Sequence, residues 1–198
     1  MLINENLLLN NGAIEEFYSS KQIIFNEASV PRFYFQIVEG IVELNNYHID
    51  GKEFTQNILS EGQSIGEALL FTNKTYPMRA VAKTDCIILK LPKSHFLTLV
   101  HQNPEITFNI MQCLADRLYY KYIMLFNISS PDPVFRITTI LDYLKSFSPN
   151  KSPFSYQVNL SRKQLANLTG LRIETVIRCI KRMEQEKIVK IRSRKIFY

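Results

Sequence analysis

A segment near the end of the chain, Arg162–Arg178, holds a small, a flexible and an apolar residue at its fifth, ninth and fifteenth positions: Ala166, Gly170 and Val176. Two short helices that cross need a small side chain at the crossing, a left-handed turn between them, and an apolar side chain to fill the space that they enclose. The spacing therefore predicts a helix-turn-helix, in which the second helix enters the major groove of duplex DNA.

The second helix of this motif separates polar from apolar side chains. Arg178 is able to donate two hydrogen bonds to guanine, and Glu174 is able to accept one from cytosine, a discrimination of about 1–3 kcal/mol for a bidentate contact. Alternatively, the two residues form a surface ion pair worth about 0.2–0.5 kcal/mol. The polar face is predicted to hold Glu174, Thr175, Arg178, Lys181 and Arg182, and the core face Ile173, Val176, Ile177, Ile180 and Met183.

Residues on either side of the helix pair extend the predicted DNA-binding surface. Ser161 is placed to cap the first helix, and Gln164 completes a capping box. The last twelve residues, KIVKIRSRKIFY, are typical of two strands around Ser193, a wing whose basic side chains reach the DNA backbone. The residues predicted to contact DNA are Ser161, Arg162, Lys163, Arg172, Glu174, Thr175, Arg178, Lys181, Arg182, Lys190, Arg192 and Arg194.

The charge of the chain is divided unevenly along its length. Residues 1–150 hold 12 Lys and Arg against 15 Asp and Glu, whereas residues 151–198 hold 12 against three. An acidic body followed by a strongly basic tail indicates a polyanionic partner for the tail. The alternative is a merely solvated basic face, but the apolar pattern of the tail favours a folded DNA-binding module.

Short strand-like runs fill the chain from Ser20 to Pro92. Runs such as FYFQIVEGIVEL and CIILKL are separated by turn residues, and Gly40, Gly51 and Gly62 recur every eleven residues. Regular turns between short alternating strands indicate an antiparallel sandwich or roll. We therefore predict a small antiparallel β-roll.

A long helix is predicted after the roll. Asn103–Glu105 places proline in a first helical turn, and no further proline or glycine occurs before Pro131. An apolar seam along this helix is explained either by packing against its own domain or by a two-fold dimer. We favour the dimer, because about 24 residues span ~36 Å, longer than a small roll covers. The seam consists of Met111, Leu114, Leu118, Tyr122 and Leu125.

Two prolines, Pro131 and Pro133, forbid a continuous helix and predict a hinge. A short amphipathic helix, VFRITTILDYLKSF, follows the hinge. The predicted fold class is α+β. The predicted domains are a sensor-like β-roll at residues 1–102, a dimerisation helix and hinge at 103–130, and a winged helix-turn-helix at 131–198.

Composition restricts the class of protein. Hydrophobic residues make up 46% and charged residues 21%, which suits a globular chain, and no stretch approaches the ~20 apolar residues of a membrane span. The N-terminus carries acids where a signal peptide carries basic residues, so we expect a cytoplasmic protein without a membrane partner. The cysteines lack C-x-x-C spacing and are expected to be small buried apolar residues rather than metal ligands: Cys86, Cys113 and Cys179.

In the order of its elements the sequence resembles the cyclic-AMP receptor protein/fumarate-nitrate regulator (Crp/Fnr) family over essentially the whole chain. The motifs that carry the resemblance are Gly66–Leu70 in the roll, Asn103–Glu105 at the start of the long helix, and Glu174–Arg178 in the second helix of the motif. The resemblance implies a cyclic-nucleotide-binding-like roll (a double-stranded β-helix), homodimers on near-palindromic double-stranded DNA, contact with RNA polymerase, and an effector bound beside the dimer helix.

The resemblance is weakest where the family binds its effector. Members that bind cyclic AMP hold ribose with a Gly-Glu segment, phosphate with an Arg-Ser/Thr pair, and adenine with a Thr-Ser pair. Here Gly66–Glu67 remains, but Tyr76–Pro77 and Lys121–Tyr122 stand at the other two positions. Proline has no amide hydrogen, and tyrosine has no charge for a phosphate. We expect an effector other than cyclic AMP, with a cyclic-AMP-responsive regulator as the alternative. The predicted pocket residues are Gly66, Glu67, Ala68, Tyr76, Pro77, Lys121, Tyr122 and, if its strand bulges, Arg79.

The recognition helix also departs from the cyclic-AMP binders, which carry arginine where this chain has Ile173. The pattern Ile-Glu-Thr-Val-Ile-Arg is closer to the fumarate-nitrate branch. The resemblance therefore implies a half-site with a G·C pair that Glu174 and Arg178 read, but not the full site of the cyclic-AMP regulators.

Two further functions are open to the sequence. A cupin-like β-roll metalloenzyme is not expected, because it needs clustered His and Glu on adjacent strands, and only His48 lies near one. A regulator that has lost its effector and binds DNA constitutively fits the altered pocket as well as an unknown ligand does. The four-cysteine iron–sulfur set of the oxygen-sensing branch is missing, so no cofactor is predicted, and nothing marks a haem ligand among His48, His95 and His101.

Overall fold

The computed structural model describes residues 2–198. The chain divides into two compact units, the first ending at Leu118 and the second beginning at Tyr119. The boundary falls within one continuous helix, which contributes residues to both units. Within the described residues no helix is both long and apolar enough to cross a membrane.

The first unit is built on two antiparallel sheets, as the strand pattern predicts. One sheet has the strand order β1-β7-β3 and the other β2-β6-β4-β5. The strands are β1 (Ile14–Tyr18), β2 (Ile23–Phe25), β3 (Phe33–Glu39), β4 (Ile41–Tyr47), β5 (Glu53–Ser60), β6 (Arg79–Ala82) and β7 (Cys86–Pro92). The helical elements are α1 (Glu5–Asn10), a short 3₁₀ helix (Glu67–Phe71), α2 (Lys93–Gln102) and the start of α3 (Pro104–Ser129).

The roll begins earlier than the sequence pattern indicates. Strand β1 lies before Ser20, and its residues pair with β7 from Ile14 opposite Lys90 to Tyr18 opposite Cys86. Its sequence, IEEFY, lacks a clean alternation, because only Tyr18 is fully buried while the other side chains lie at the surface. The strand therefore forms because it pairs with β7, and its own residue pattern does not reveal it.

One hydrophobic core fills the space within the roll. Alternate residues of neighbouring strands point inward, such as Val42 and Leu44 on β4 and Ala80 and Ala82 on β6. Burying each large apolar side chain contributes about 1.5–3 kcal/mol. A second core joins α1, α2 and the first turns of α3 to the roll, where the ring of Tyr34 stacks on Phe96 with centroids 4.5 Å apart.

The long helix α3 is buried on one side only. Ile106 and Ile110 near its start belong to the second core. The predicted apolar seam is not covered within the chain: between 51% and 72% of the surface is exposed for each of Met111, Leu118, Tyr122 and Leu125, whereas Leu114 is partly buried. Phe108, Tyr119 and Phe126 widen this exposed apolar face.

The second unit contains the predicted hinge, helix pair and wing. α3 ends at Ser129, and Asp132 caps the next helix by accepting a 2.9 Å hydrogen bond from the amide of Val134. A short strand that the sequence did not indicate joins the two strands of the wing in the order β8-β10-β9. The elements after α3 are α4 (Pro133–Ser146), β8 (Gln157–Val158), α5 (Arg162–Thr169), α6 (Ile173–Gln185), β9 (Lys190–Arg192) and β10 (Lys195–Phe197).

Candidate nucleic-acid interface

The first helix of the motif, α5, begins with the predicted capping box. The hydroxyl of Ser161 accepts a 3.1 Å hydrogen bond from the amide of Gln164, and the side chain of Gln164 accepts a 2.9 Å bond from the amide of Ser161. Two of the amides left free at a helix start are thereby satisfied. The first turn of α5 is thus fixed by its own sequence.

The turn between the two helices has the geometry that its glycine predicts. Gly170 has φ of 67°, in the left-handed region, and the amide of the next residue, Leu171, bonds the carbonyl of Ala166 at 3.0 Å. Ala166 and Val176 are both buried where α5 and α6 pack together. The three positions read from the sequence therefore act as the helix-turn-helix spacing requires.

The core face of α6 is narrower than predicted. Val176, Ile180 and Met183 are buried, but Ile173 and Ile177 are 38% and 42% exposed, so assigning these two isoleucines to the core was wrong. Cys179, which the prediction left out, is buried instead. The reason is the helical step of 100° per residue, which centres the buried arc on Val176, Cys179, Ile180 and Met183 and leaves Ile173 and Ile177 at its edge.

The opposite face of α6 presents unpaired charges. Neither Glu174 nor Arg178 forms an ion pair within residues 2–198, so the alternative of a pair between them is absent. Arg182 does pair with Glu186, one turn on, at 2.7 Å. The N-cap residue, Arg172, makes no side-chain cap, which leaves the first amides of α6 to interact with an anion.

The predicted contact residues share one property, which is access to solvent. Thr175 and Arg162 are partly exposed; the other ten are exposed: Ser161, Lys163, Arg172, Glu174, Arg178, Lys181, Arg182, Lys190, Arg192 and Arg194.

The wing is held to the start of α5 by Arg162, for which the sequence predicts only a contact with DNA. The guanidinium of Arg162 donates a 2.6 Å hydrogen bond to the carbonyl of Arg194, in the turn between β9 and β10. Lys190 and Arg192 rest on aromatic rings of their own unit, those of Phe154 and Phe197. The sequence does not predict the role of Phe154, because its contact with Lys190 joins residues 36 positions apart.

In the first unit, the structure brings together three of the predicted pocket residues. Gly66 has φ of 68°, and a Cβ built there would lie 2.7 Å from the ring of Tyr76. That ring is buried and stacked on Phe25 with centroids 3.7 Å apart. Burial, with a further contribution from the charge of Glu67, raises the pKa of Tyr76, so its hydroxyl stays protonated.

Glu67 is fully buried and paired with an arginine that sequence reasoning missed. Arg117 on α3 places Nη1 3.1 Å from Oε2 of Glu67 and donates from Nη2 to the carbonyl of Ser64 at 2.6 Å. Oε1 of Glu67 and the hydroxyl of Tyr76 have no hydrogen-bond partner. The site thus contains one ion pair and two buried polar atoms that still lack a partner.

The remaining predicted pocket residues do not join this cluster. Arg79 stacks over Tyr47, 5.2 Å from the ring centroid, and its pairing with Asn45 opposite shows no bulge that would turn it inward. Ala68 and Pro77 are exposed, and Lys121 and Tyr122 are exposed residues of α3 in the second unit.

The cysteines and acids form no metal site. Cys86 and Cys179 are buried as expected, whereas Cys113 is only half-buried. Among residues 2–198 no three side chains of His, Cys, Asp or Glu come together in a way that could hold a metal ion.

Comparison with known proteins matches both units. The cyclic nucleotide-binding domain family matches residues 15–103, and the Crp-like helix-turn-helix domain family matches residues 136–197. The chain is 26% identical over 181 residues to the cAMP-activated global transcriptional regulator CRP of Pasteurella multocida, covering 90% of this chain and 87% of the relative. It is 27% identical over 187 residues to the global nitrogen regulator of a Nostoc species, covering 92% and 83%.

Solved structures show the same fold at lower identity. The c-di-GMP responsive global regulator CLP of Xanthomonas campestris has a TM-score of 0.79 at 19% identity, covering 98% of both chains. A CooA mutant from Carboxydothermus hydrogenoformans has a TM-score of 0.83 at 20% identity, covering 98% of this chain and 87% of the other.

Replacing Arg162 with alanine is expected to loosen the wing. The amides of residues 190–197 should exchange their hydrogens about fivefold faster, because a charge-assisted hydrogen bond worth about 1 kcal/mol is lost. Hydrogen exchange followed by mass spectrometry measures this. Arg194→Ala is the matched control, since it removes an equal charge but keeps the carbonyl that Arg162 bonds; equal exchange in both variants would contradict the anchoring role.

Proposed function

The chain belongs to the Crp/Fnr family of transcription regulators, and from that premise we propose that it binds operator DNA as a homodimer. Its helix-turn-helix is a Crp-like DNA-binding module. In the proposal, the two copies of α6 enter successive major grooves on one side of the duplex, about 34–36 Å apart. The observation that carries it is the exposed polar face of α6, where Glu174 and Arg178 are unpaired beside a well-buried core face.

The proposed roles in DNA recognition divide between bases and backbone. Arg178 donates to guanine and Glu174 accepts from cytosine, because both side chains are exposed and committed to no other partner in the described chain. The basic side chains of the wing and the free amides at the start of α6 contact phosphates, which supplies affinity without sequence preference. Ile173 is apolar and cannot donate to guanine, so the operator should differ from that of the cyclic-AMP regulators.

The proposed dimer interface is the exposed apolar face of α3. A single chain leaves Met111, Leu118, Tyr122 and Leu125 more than half exposed, at steps of seven, four and three residues. A two-fold partner offers the same stripe, and an apolar repeat of this spacing is what pairs helices in a coiled coil. Covering eight such side chains in a symmetric pair contributes on the order of 1 kcal/mol for each.

The proposed effector is not cyclic AMP. The positions that hold phosphate in cyclic-AMP binders are occupied by the buried ring of Tyr76 and by Pro77, and the partly buried guanidinium of Arg117 is already paired with Glu67. The partnerless carboxylate oxygen of Glu67 accepts a hydrogen bond and the partnerless hydroxyl of Tyr76 donates or accepts one, which favours a small ligand that carries a hydrogen-bond donor. Binding without any effector is the second candidate, favoured by the close packing of Tyr76 over Gly66.

Membership of the family also supports proposals on the cellular location and on RNA polymerase as a partner. We propose action in the cytoplasm on double-stranded DNA, with RNA polymerase recruited or blocked at the promoter. Since the family consists of transcription regulators, the cupin-like metalloenzyme is not retained.

Selection of bound sites from random DNA tests the proposed operator. Wild-type protein should enrich two half-sites centred about 10–10.5 base pairs apart, each with a G·C pair. Arg178→Ala should relax preference at that pair, a loss of about 1–3 kcal/mol, while Lys190→Ala should keep the sequence preference and lower the slope of log K against log salt by about 1. Enrichment of no sequence in any effector condition would contradict the proposal.

Replacing Leu118 with glutamate should convert the dimer to a monomer, because it places a charge in the centre of the apolar stripe. Operator affinity should fall by roughly two to four orders of magnitude when the two half-sites are no longer bound together. Sedimentation equilibrium and DNA titration measure the two effects. Asn109→Glu, an exposed position half a turn round the same helix, is the control; a Leu118→Glu protein that stays dimeric would exclude this interface.

Cyclic AMP should leave the affinity for the selected operator unchanged within about twofold, a coupling free energy below about 0.4 kcal/mol. The physical reason is that, among the described residues, the cation bonded to Glu67, Arg117, is already committed to that carboxylate and to Ser64. Calorimetric titration of the dimer with cyclic AMP, and operator titration with and without it, provide the measurement. A tenfold increase in operator affinity would instead establish the cyclic-AMP-responsive alternative.

A further inference from the structure

One arginine of the second unit, Arg136, joins two helix ends that are distant in sequence. It lies in the first turn of α4 and is partly buried. Its Nε donates a 2.7 Å hydrogen bond to the carbonyl of Ser130, just after α3, and its Nη1 donates a 3.3 Å bond to the carbonyl of Thr169, the last residue of α5. A single guanidinium therefore bonds both the hinge and the turn of the helix-turn-helix.

Both acceptors lie at the C-terminal ends of helices: Thr169 is the last residue of α5, and Ser130 directly follows α3. The last carbonyls of a helix have no partner within it and carry the negative end of the helix dipole, so a cation placed there is favoured. The planar guanidinium holds its donors in a fixed fork and spans two carbonyls at once, whereas a lysine ammonium is a point charge on a flexible stem. The contact lies beside the turn, since a Cβ at Gly170 would be 4.0 Å from Nη1 of Arg136.

A buried side chain of α3 fixes the backbone of the same arginine. Asn127 is fully buried, and its Nδ2 donates a 3.2 Å hydrogen bond to the carbonyl of Arg136. Its Oδ1 has no partner. Arg136 is thus held from the end of α3 through its main chain while its side chain holds the end of α5.

We infer that Arg136 is a positioning residue for DNA recognition, which sets the direction of α6 by bonding the end of α5 to the end of α3. The inference rests on the proposed function, in which two α6 helices must enter one duplex at a fixed spacing. A small rotation of each helix-turn-helix about the hinge would change the distance between the two α6 helices, so that they no longer fit one duplex. The exposed basic surface of each would stay intact. Loss of Arg136 should therefore reduce binding to the operator much more than binding to unrelated DNA.

The experiment compares Arg136→Gln with Lys145→Gln, which removes an equal charge from the same helix, α4. Thermal unfolding is followed first, and both affinities are measured at a temperature where every variant is folded. Arg136→Gln should lower affinity for the selected operator at least tenfold, while affinity for random-sequence duplex and the slope of log K against log salt stay as in wild type. Lys145→Gln should change operator affinity less than twofold.

Two further variants keep the test decisive. Arg136→Lys, which retains the charge without the fork, should lose operator affinity nearly as much as Arg136→Gln and serves in its place if that variant does not fold. Asn127→Leu should lower the ratio of operator to random-DNA affinity in the same direction.

The inference is overturned if Arg136→Lys keeps the wild-type ratio of operator to random-DNA affinity, or if Lys145→Gln loses as much as Arg136→Gln. An equal loss of affinity for operator and for random DNA would indicate that Arg136 contacts phosphates, and it would also overturn the inference. If wild-type protein prefers no sequence, it is the proposed function that fails, and the two failures are thereby distinguished.

Discussion

The crossing of α5 and α6 is the constraint on which the DNA-binding surface depends. A residue with a side chain at Gly170 would strain the left-handed turn, and a larger residue at Ala166 would separate two helices that are buried against each other there. Once these two positions fix the crossing, the buried arc of α6 is determined, and with it the arc that faces outward. Glu174 and Arg178 owe their exposure to that packing and not to any property of their own.

The crossing alone does not fix α6 relative to the end of α3, and the proposed function requires a defined direction between them. Within the second unit, polar contacts join the ends of these helices. Asp132 caps α4, Arg136 bonds the carbonyls that end α3 and α5, and Asn127 bonds the main chain of Arg136. Polar contacts have directional geometry, whereas apolar contacts tolerate sliding, so the junction of α3, α4 and α5 is better defined by hydrogen bonds than by hydrophobic area.

The features that sequence alone predicts are those set by local rules. The cap at Ser161, the turn at Gly170 and the break at Pro131 each follow from the conformational preference of one residue and its nearest neighbours. What the sequence missed depends on residues far apart. The pairing of Arg117 with Glu67 joins positions 50 apart, the bond from Arg162 to Arg194 joins positions 32 apart, and neither leaves a periodic signal. Ile173 and Ile177 were misplaced because hydrophobicity gives the direction of a buried arc but not its width.

The pair of Glu67 and Arg117 connects the proposed effector pocket to α3. Two charges taken out of water cost several kcal/mol each, and their attraction roughly offsets that cost, so such a pair adds little net stability. Its value is positional, because removing Arg117 leaves the carboxylate of Glu67 buried and unpaired, which costs about 3–5 kcal/mol. A ligand that bonded Glu67 in place of Arg117 would leave the guanidinium bonded to Ser64 alone, and would remove the only charged contact that the 3₁₀ helix makes with α3 within the first unit's described residues. An anion is poorly suited to this, since it would approach the Glu67 carboxylate against like-charge repulsion, whereas a neutral hydrogen-bond donor would compete with Arg117 directly. If the pocket binds the ligand proposed above, the ion pair that argues against cyclic phosphate is also the contact that joins this ligand's site to α3.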